Sequence, residues 1–126
     1  MHTNSFLKDC KFIIHATGIT LFKTLNNENK AYFSLHDCFL KILKYSDEKL
    51  QINSIAFPFN NNGLWYIEIS MCCKVLFKSI KNFYRQKDIN NSSLKSIKII
   101  CNDDQSVSKF IEYFYTKSTL NKIFIN

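Results

Sequence analysis

The chain has 126 residues, a length that fits one domain and is large enough for a hydrophobic core but with little to spare. Its 17 basic and 10 acidic residues give a net charge of +7, which favours anionic partners such as nucleic acid or an acidic protein face. No apolar run approaches the length of a membrane-spanning helix, and no basic start followed by an apolar run marks a signal peptide. We therefore expect an intracellular protein of the nucleus or cytoplasm, with no membrane partner.

The five cysteines carry no metal-binding pattern. No two of them have C-x-x-C spacing, and Cys72 and Cys73 are adjacent within an apolar helical pattern. We expect reduced thiols, no bound metal and no cofactor.

Strand and helix patterns alternate along the first half of the chain. The apolar run Phe12-Ile13-Ile14 predicts a buried strand over residues 11–16. Apolar residues then recur at spacings of three and four, which predicts an amphipathic helix over residues 31–45. A second strand is expected over residues 52–57, and we expect Pro58 to end it because proline has no N–H to donate.

The longest predicted helix covers residues 67–86 and carries a basic stripe. The stripe consists of residues at spacings of four, three and four, namely Lys74, Lys78, Lys81 and Arg85. One interpretation is a solvated outer face, and the other is a contact surface for a polyanion.

The second half of the chain continues the alternation. We predict a third strand over residues 96–101 and a helix over residues 104–116. Asn102, Asp103 and Asp104 supply side-chain oxygens that can cap this helix.

Both ends of the chain, residues 1–9 and 117–126, are expected to be loosely ordered. The C-terminal tail is nevertheless apolar enough to dock or to add a short edge strand. The order β-α-β-α-β-α predicts one α/β domain over residues 1–126 with a mainly parallel sheet flanked by helices.

The stretch from Asn53 to Tyr66 combines an apolar run, a proline and a polar turn with Gly63, and a helical pattern follows it. A strand that feeds a helix through such a turn can cradle phosphate on backbone N–H groups and the helix N-terminus. The same arrangement is also the commonest connection in any α/β protein.

Four segments resemble the macro domain family, whose members bind ADP-ribose. The sequence S-I-A-F-P at residues 54–58, followed by a small-polar loop with a glycine, resembles the family's second ligand loop. The other three segments follow the family's order and are residues 10–18 (C-K-F-I-I-H-A-T-G), Cys38-Phe39 with Leu43, and residues 93–100 (S-L-K-S-I-K-I-I). The similarity covers roughly residues 9–116.

The resemblance implies an incomplete three-layer α/β/α sandwich. Nothing before Cys10 matches the family's first strands, which carry the aspartate that reads adenine and the glycine-rich loop that grips the distal ribose. One absent strand would lie in the sheet between those predicted at residues 52–57 and 96–101. The flanking strands could pair directly, a partner could supply a strand, or the chain could be a fragment, which we favour. With a gap in its sheet, the chain would be a marginal monomer that exposes apolar surface and self-associates.

The resemblance also implies a ligand site. The diphosphate of ADP-ribose would lie on backbone N–H groups between Asn60 and Leu64, and Asn102 and Asp103 would lie on the adenine side. Bulky Tyr66 replaces a small family residue and narrows the loop. The full set of implied loop contacts is Phe59, Asn60, Asn61, Asn62, Gly63, Leu64 and Trp65.

The implied function is a weak binding module for ADP-ribose or ADP-ribosylated protein. The alternatives are an interaction or scaffold module that binds no nucleotide and uses its basic surface, and a non-functional fragment. We expect no ADP-ribosyl hydrolase activity and name no catalytic residue, because the family's catalytic loops have no counterpart here.

Overall fold

The computed structural model describes residues 2–16, 28–59, 67–86, 91–117 and 123–125, which form a mixed α/β fold. In this part of the chain, no helix is long and apolar enough to cross a bilayer. The elements in chain order are β1 (His2–Asn4), β2 (Phe12–Ile14), α1 (Glu28–Lys44), a π-helical turn (Tyr45–Lys49), β3 (Ser54–Phe59), α2 (Ile69–Gln86), β4 (Ser96–Cys101), α3 (Asp104–Lys117) and β5 (Ile123–Ile125).

Three strands form a parallel sheet in the order β3-β4-β5, which confirms the mainly parallel sheet expected from the sequence. Each strand pairs with the next one along the chain, so right-handed crossovers place α2 and α3 on the same face. The paired residues Phe57 and Ile99 are buried on that face. On the other face Lys98 is exposed, and 44% of Ile100 is exposed. The described residues therefore form two layers, and the expected three-layer sandwich is wrong.

β3 pairs directly with β4 along their whole length, from Ser54 opposite Ser96 to Phe59 opposite Cys101. The two strands thus pair directly, which is one of the three arrangements considered above. A continuous ladder satisfies the backbone N–H and C=O groups that a gap would leave unpaired.

Pro58 lies inside β3, although it was expected to end the strand. The N–H groups of Lys95 and Ser96 both donate to the Asn53 carbonyl, at 2.8 and 3.0 Å. Backbone groups alternate in direction along a strand, so those of Ser54, Ala56 and Pro58 face away from β4. The N–H that proline lacks is therefore not needed in this ladder, and β3 continues to Phe59.

β2 was expected to join the parallel sheet, but it does not. It pairs antiparallel with β1 in a separate two-stranded sheet, with His2 opposite Ile14. The short loop between β1 and β2 lets them pair as a hairpin. The two ends expected to be loosely ordered thus contain β1 and β5, and β5 is the edge strand considered for the tail.

The core lies between the sheet and the helices and is rich in aromatic rings. The ring of Phe39 on α1 packs edge-on against Phe57 on β3, with centroids 5.7 Å apart. Phe77 on α2 contacts Phe114 on α3 at 5.3 Å in the same edge-on geometry. These contacts belong to one hydrophobic cluster that joins all three helices to β3 and β4.

Asp47, in the π-helical turn, fixes the start of β4. Only 2% of this residue is exposed. Its Oδ1 accepts hydrogen bonds from the Ser92 hydroxyl at 2.8 Å and from the N–H groups of Ser93 and Leu94 at 2.6 and 3.2 Å. The turn ends at Leu50, whose N–H donates to the Tyr45 carbonyl at 3.0 Å.

Candidate functional site

The carboxyl ends of β3 and β4 meet at one edge of the sheet. Phe59 and Cys101, the last residues of the two strands, are opposite each other in the register. The chain leaves each of these strands toward a helix, and ligands of open α/β sheets bind at such an edge. Six expected site residues lie outside the described residues, namely Asn60, Asn61, Asn62, Gly63, Leu64 and Trp65.

Phe59 is described, and the structure places its side chain in the core. Only 4% of the residue is exposed. Its ring centroid lies 4.8 Å from that of Phe110 on α3 and 6.3 Å from that of Phe39 on α1. The ring therefore holds the end of β3 against the helix layer and faces away from solvent.

Asn102 and Asp103 follow β4 at this edge. Asn102 is exposed, and Asp103 caps α3 as predicted. The Asp103 carboxylate accepts from the Ser106 N–H at 2.9 Å, and its carbonyl accepts from the Val107 N–H at 3.3 Å. Within the described residues, the buried Asp103 Oδ1 and Ser106 Oγ have no hydrogen-bond partner. Both atoms lie out of contact with solvent.

The two helices that start at this edge differ in charge. α3 has the Asp103 cap and Asp104 in its first turn, so an anion is disfavoured there. α2 has no carboxylate in its first turn, although exposed Glu68 precedes it. The positive end of the α2 dipole therefore offers the better position for a phosphate.

The thiols near this edge stay protonated at neutral pH. Burial, and then the Asp103 carboxylate, raise the pKa of the Cys101 thiol above its ordinary value. Burial and the neighbouring thiols of Cys72 and Cys101 raise the pKa of Cys73 to about 12. A protonated thiol is a poor nucleophile. In the described segments, no three His, Cys, Asp or Glu side chains come together as a metal site would require.

An apolar cavity of about 310 Å³ lies between β2, α1 and β3. Its walls include Phe12 and Ile14 on β2, Phe39 and Ile42 on α1, and Ala56 on β3. The lining contains none of Phe59, Asn102 and Asp103, so this cavity is separate from the candidate ligand edge.

The basic stripe predicted on the longest helix lies on the surface of α2. All four of its residues are exposed. At 100° per residue they lie within about 60° of one another around the helix axis. The 18 residues of α2 include no aspartate or glutamate. The stripe is formed by Lys74, Lys78, Lys81 and Arg85.

Sequence reasoning missed two polar residues that the structure makes important. Asp47 lies between Ser46 and Glu48, and this polar run is typical of a solvated helix end. No local sequence pattern predicts the hydrogen bonds of Asp47 to residues 92–94. Asn82 reads as an ordinary surface residue of α2, yet its amide bonds the His36 ring at 2.8 Å.

No protein-family model matches the chain, and comparison with curated proteins finds no match.

Proposed function

We propose that the chain is a binding module for ADP-ribose or for ADP-ribosylated protein. The ligand would lie across the carboxyl ends of β3 and β4, with its diphosphate on the loop over residues 60–64. The observation that carries the proposal is the alignment of the two strand ends, with Phe59 opposite Cys101. In this register the end of the S-I-A-F-P segment lies beside Asn102 and Asp103, without the strand that the macro-domain resemblance implies between them.

The charges at this edge support one orientation of the ligand. The diphosphate is favoured at the N-terminus of α2, because the first turn of that helix has no carboxylate. The Asp103 carboxylate disfavours phosphate, and exposed Asn102 beside it can exchange hydrogen bonds with the adenine edge or a ribose hydroxyl. The proposal is for binding alone and assigns no catalytic residue.

Calorimetric titration with ADP-ribose tests the proposal. Only half of the family's site is encoded, so we expect a dissociation constant on the order of a millimolar, which corresponds to about 4 kcal/mol. Gly63→Glu adds bulk and like charge where a phosphate approaches the backbone, and it should abolish binding. Lys78→Glu makes a charge change of the same sign on the outer surface of α2 and should leave binding nearly unchanged.

A second candidate is an interaction module that binds no nucleotide. The exposed stripe of four cations on α2 favours it. Absence of binding heat in the wild-type titration would reject the first candidate and leave this one. Damage by Lys78→Glu with none by Gly63→Glu would also reject the loop as the binding site.

A further inference from the structure

An outward-facing surface forms where α1 and α2 pack side by side. The Lys74 ammonium lies 5.7 Å from the centroid of the Tyr32 ring, within cation–π range. The Asn82 amide donates to the His36 ring nitrogen at 2.8 Å. The surface, called here the α1–α2 surface, consists of Tyr32, Phe33 and His36 on α1 and Lys74, Lys78, Lys81, Asn82 and Arg85 on α2.

Three aromatic rings on the α1 side are held in place by one another. The rings of Tyr32 and His36 are stacked, with centroids 6.5 Å apart and an interplanar angle of 6°. Phe33 meets Tyr32 edge-on at 5.6 Å, yet 68% of Phe33 is exposed. The exposed ring of Phe33, packed against Tyr32, can therefore stack with another flat ring such as a nucleic-acid base.

The α2 side supplies a row of positive charges beside these rings. The stripe from Lys74 to Arg85 runs about 16 Å along the helix axis at 1.5 Å per residue. The one carboxylate next to His36 in sequence, Asp37, pairs with Lys41 at 3.5 Å, which offsets its charge. The row therefore complements a flexible chain of negative charges.

We propose that the α1–α2 surface binds single-stranded nucleic acid. The cations of α2 contact the phosphates, and an unpaired base stacks on the exposed ring of Phe33. A duplex hides its base faces in its own stack, so it can use the cations but not the rings. This surface does not include the loop after β3, so its test and the ADP-ribose titration can fail independently.

Fluorescence anisotropy with a labelled single strand of about fifteen nucleotides tests the charge contacts. Four engaged cations predict a slope of about −3 for log affinity against log salt, because each contacted phosphate of a single strand contributes about −0.7. The double variant Lys78→Glu/Lys81→Glu should bind at least about tenfold more weakly at low salt, with a slope nearer to zero.

The matched control reverses the charge of two lysines that lie outside the α1–α2 surface. Lys49→Glu/Lys98→Glu changes the net charge equally at exposed positions of the π-helical turn and the open sheet face. It should keep most of the wild-type affinity. Equal loss in the two double variants would show that net charge alone drives binding, and it would overturn the assignment to this surface.

Phe33→Ala tests the stacking contact. Loss of one stacked base should weaken single-strand binding by about fivefold or more. Phe6→Ala removes another fully exposed aromatic ring, far along the chain from α1, and should have no effect. The Phe33 variant should bind inorganic polyphosphate as the wild type does. Unchanged single-strand binding by Phe33→Ala, or tighter binding of a duplex than of the single strand, would overturn the proposal.

Discussion

Asp47 is the buried charged residue on which the start of β4 depends. It accepts three hydrogen bonds from residues 92–94 through one carboxylate oxygen. Asp47→Ala removes the acceptor of the Ser93 N–H and leaves the Ser92 hydroxyl and the Leu94 N–H only their bonds to each other's residues, at 3.3 and 3.2 Å. We therefore expect the free energy of unfolding to fall by about 2–4 kcal/mol. Urea denaturation measures this change.

The neighbouring Glu48→Ala is the matched control for Asp47. Glu48 is exposed in the same π-helical turn, so its removal should change the free energy of unfolding by less than about 0.5 kcal/mol. Equal effects of the two substitutions would mean that the turn needs acidic side chains generally and not the Asp47 bonds.

Tyr84 gives the same segment a dependence on alkaline pH. Its hydroxyl donates to the Leu94 carbonyl at 2.7 Å, and burial and the Asp47 charge raise its pKa to about 12. In the unfolded chain the pKa is about 10. The folded state thus favours the protonated hydroxyl. The contribution of this preference to the free energy of unfolding is fully present below pH about 10 and is lost as the pH rises to about 12.

Tyr84→Phe isolates this contribution. Denaturation of both proteins across this pH range should show a difference in free energy of unfolding that is constant up to pH about 10 and then shrinks. At neutral pH we expect the variant to be about 1 kcal/mol less stable, because it lacks the hydroxyl. A difference that stays constant to pH about 12 would contradict the raised pKa.

At the scale of elements, the outer edge of β3 is protected by Pro58. The backbone groups of Ser54 and Ala56 face away from β4, and an edge of this kind can pair with another chain. Pro58→Thr adds an N–H to that edge, so we expect more self-association in sedimentation velocity. Ser54→Thr adds a β-branched side chain without a new N–H, and it should leave association unchanged.

The helices were predictable because their apolar residues recur with helical spacing. β4 was predicted at its observed bounds, since Ile97 and Ile99 alternate with exposed Lys98. The partner of β2 was not predictable. Its apolar run indicates a strand but does not specify a neighbour, and β1 is a short polar segment with no strand pattern.

The candidate site was predictable in part. The Asp103 cap follows from a side-chain oxygen placed before a helical pattern, and the structure confirms it. The burial of Phe59 depends on Phe110 and Phe39, which are far away in sequence, so local pattern could not place its ring. The prediction that Pro58 ends the strand was wrong because the sequence does not show whether a backbone nitrogen points toward the neighbouring strand or away from it.

At the scale of the whole molecule, direct pairing of β3 with β4 removes the reason to expect a marginal monomer. One hydrophobic cluster connects the sheet with all three helices in the described part of the chain. We therefore expect a single cooperative thermal transition, with coincident curves from far-UV and near-UV circular dichroism. A broad transition with strong dye binding by the native protein would contradict this, and it would favour the earlier expectation of a gap in the sheet.

The bonds of Asp47 also bear on how the fold forms over time. They join residues 45 to 47 positions apart, and the intervening chain holds β3 and α2. Contacts of such long separation form only after the entropy of closing the loop has been lost, so these bonds form late. We expect Asp47→Ala, which removes these bonds, to speed unfolding strongly while leaving the folding rate nearly unchanged. The carboxylate then determines how long the native state persists and not how quickly it is reached.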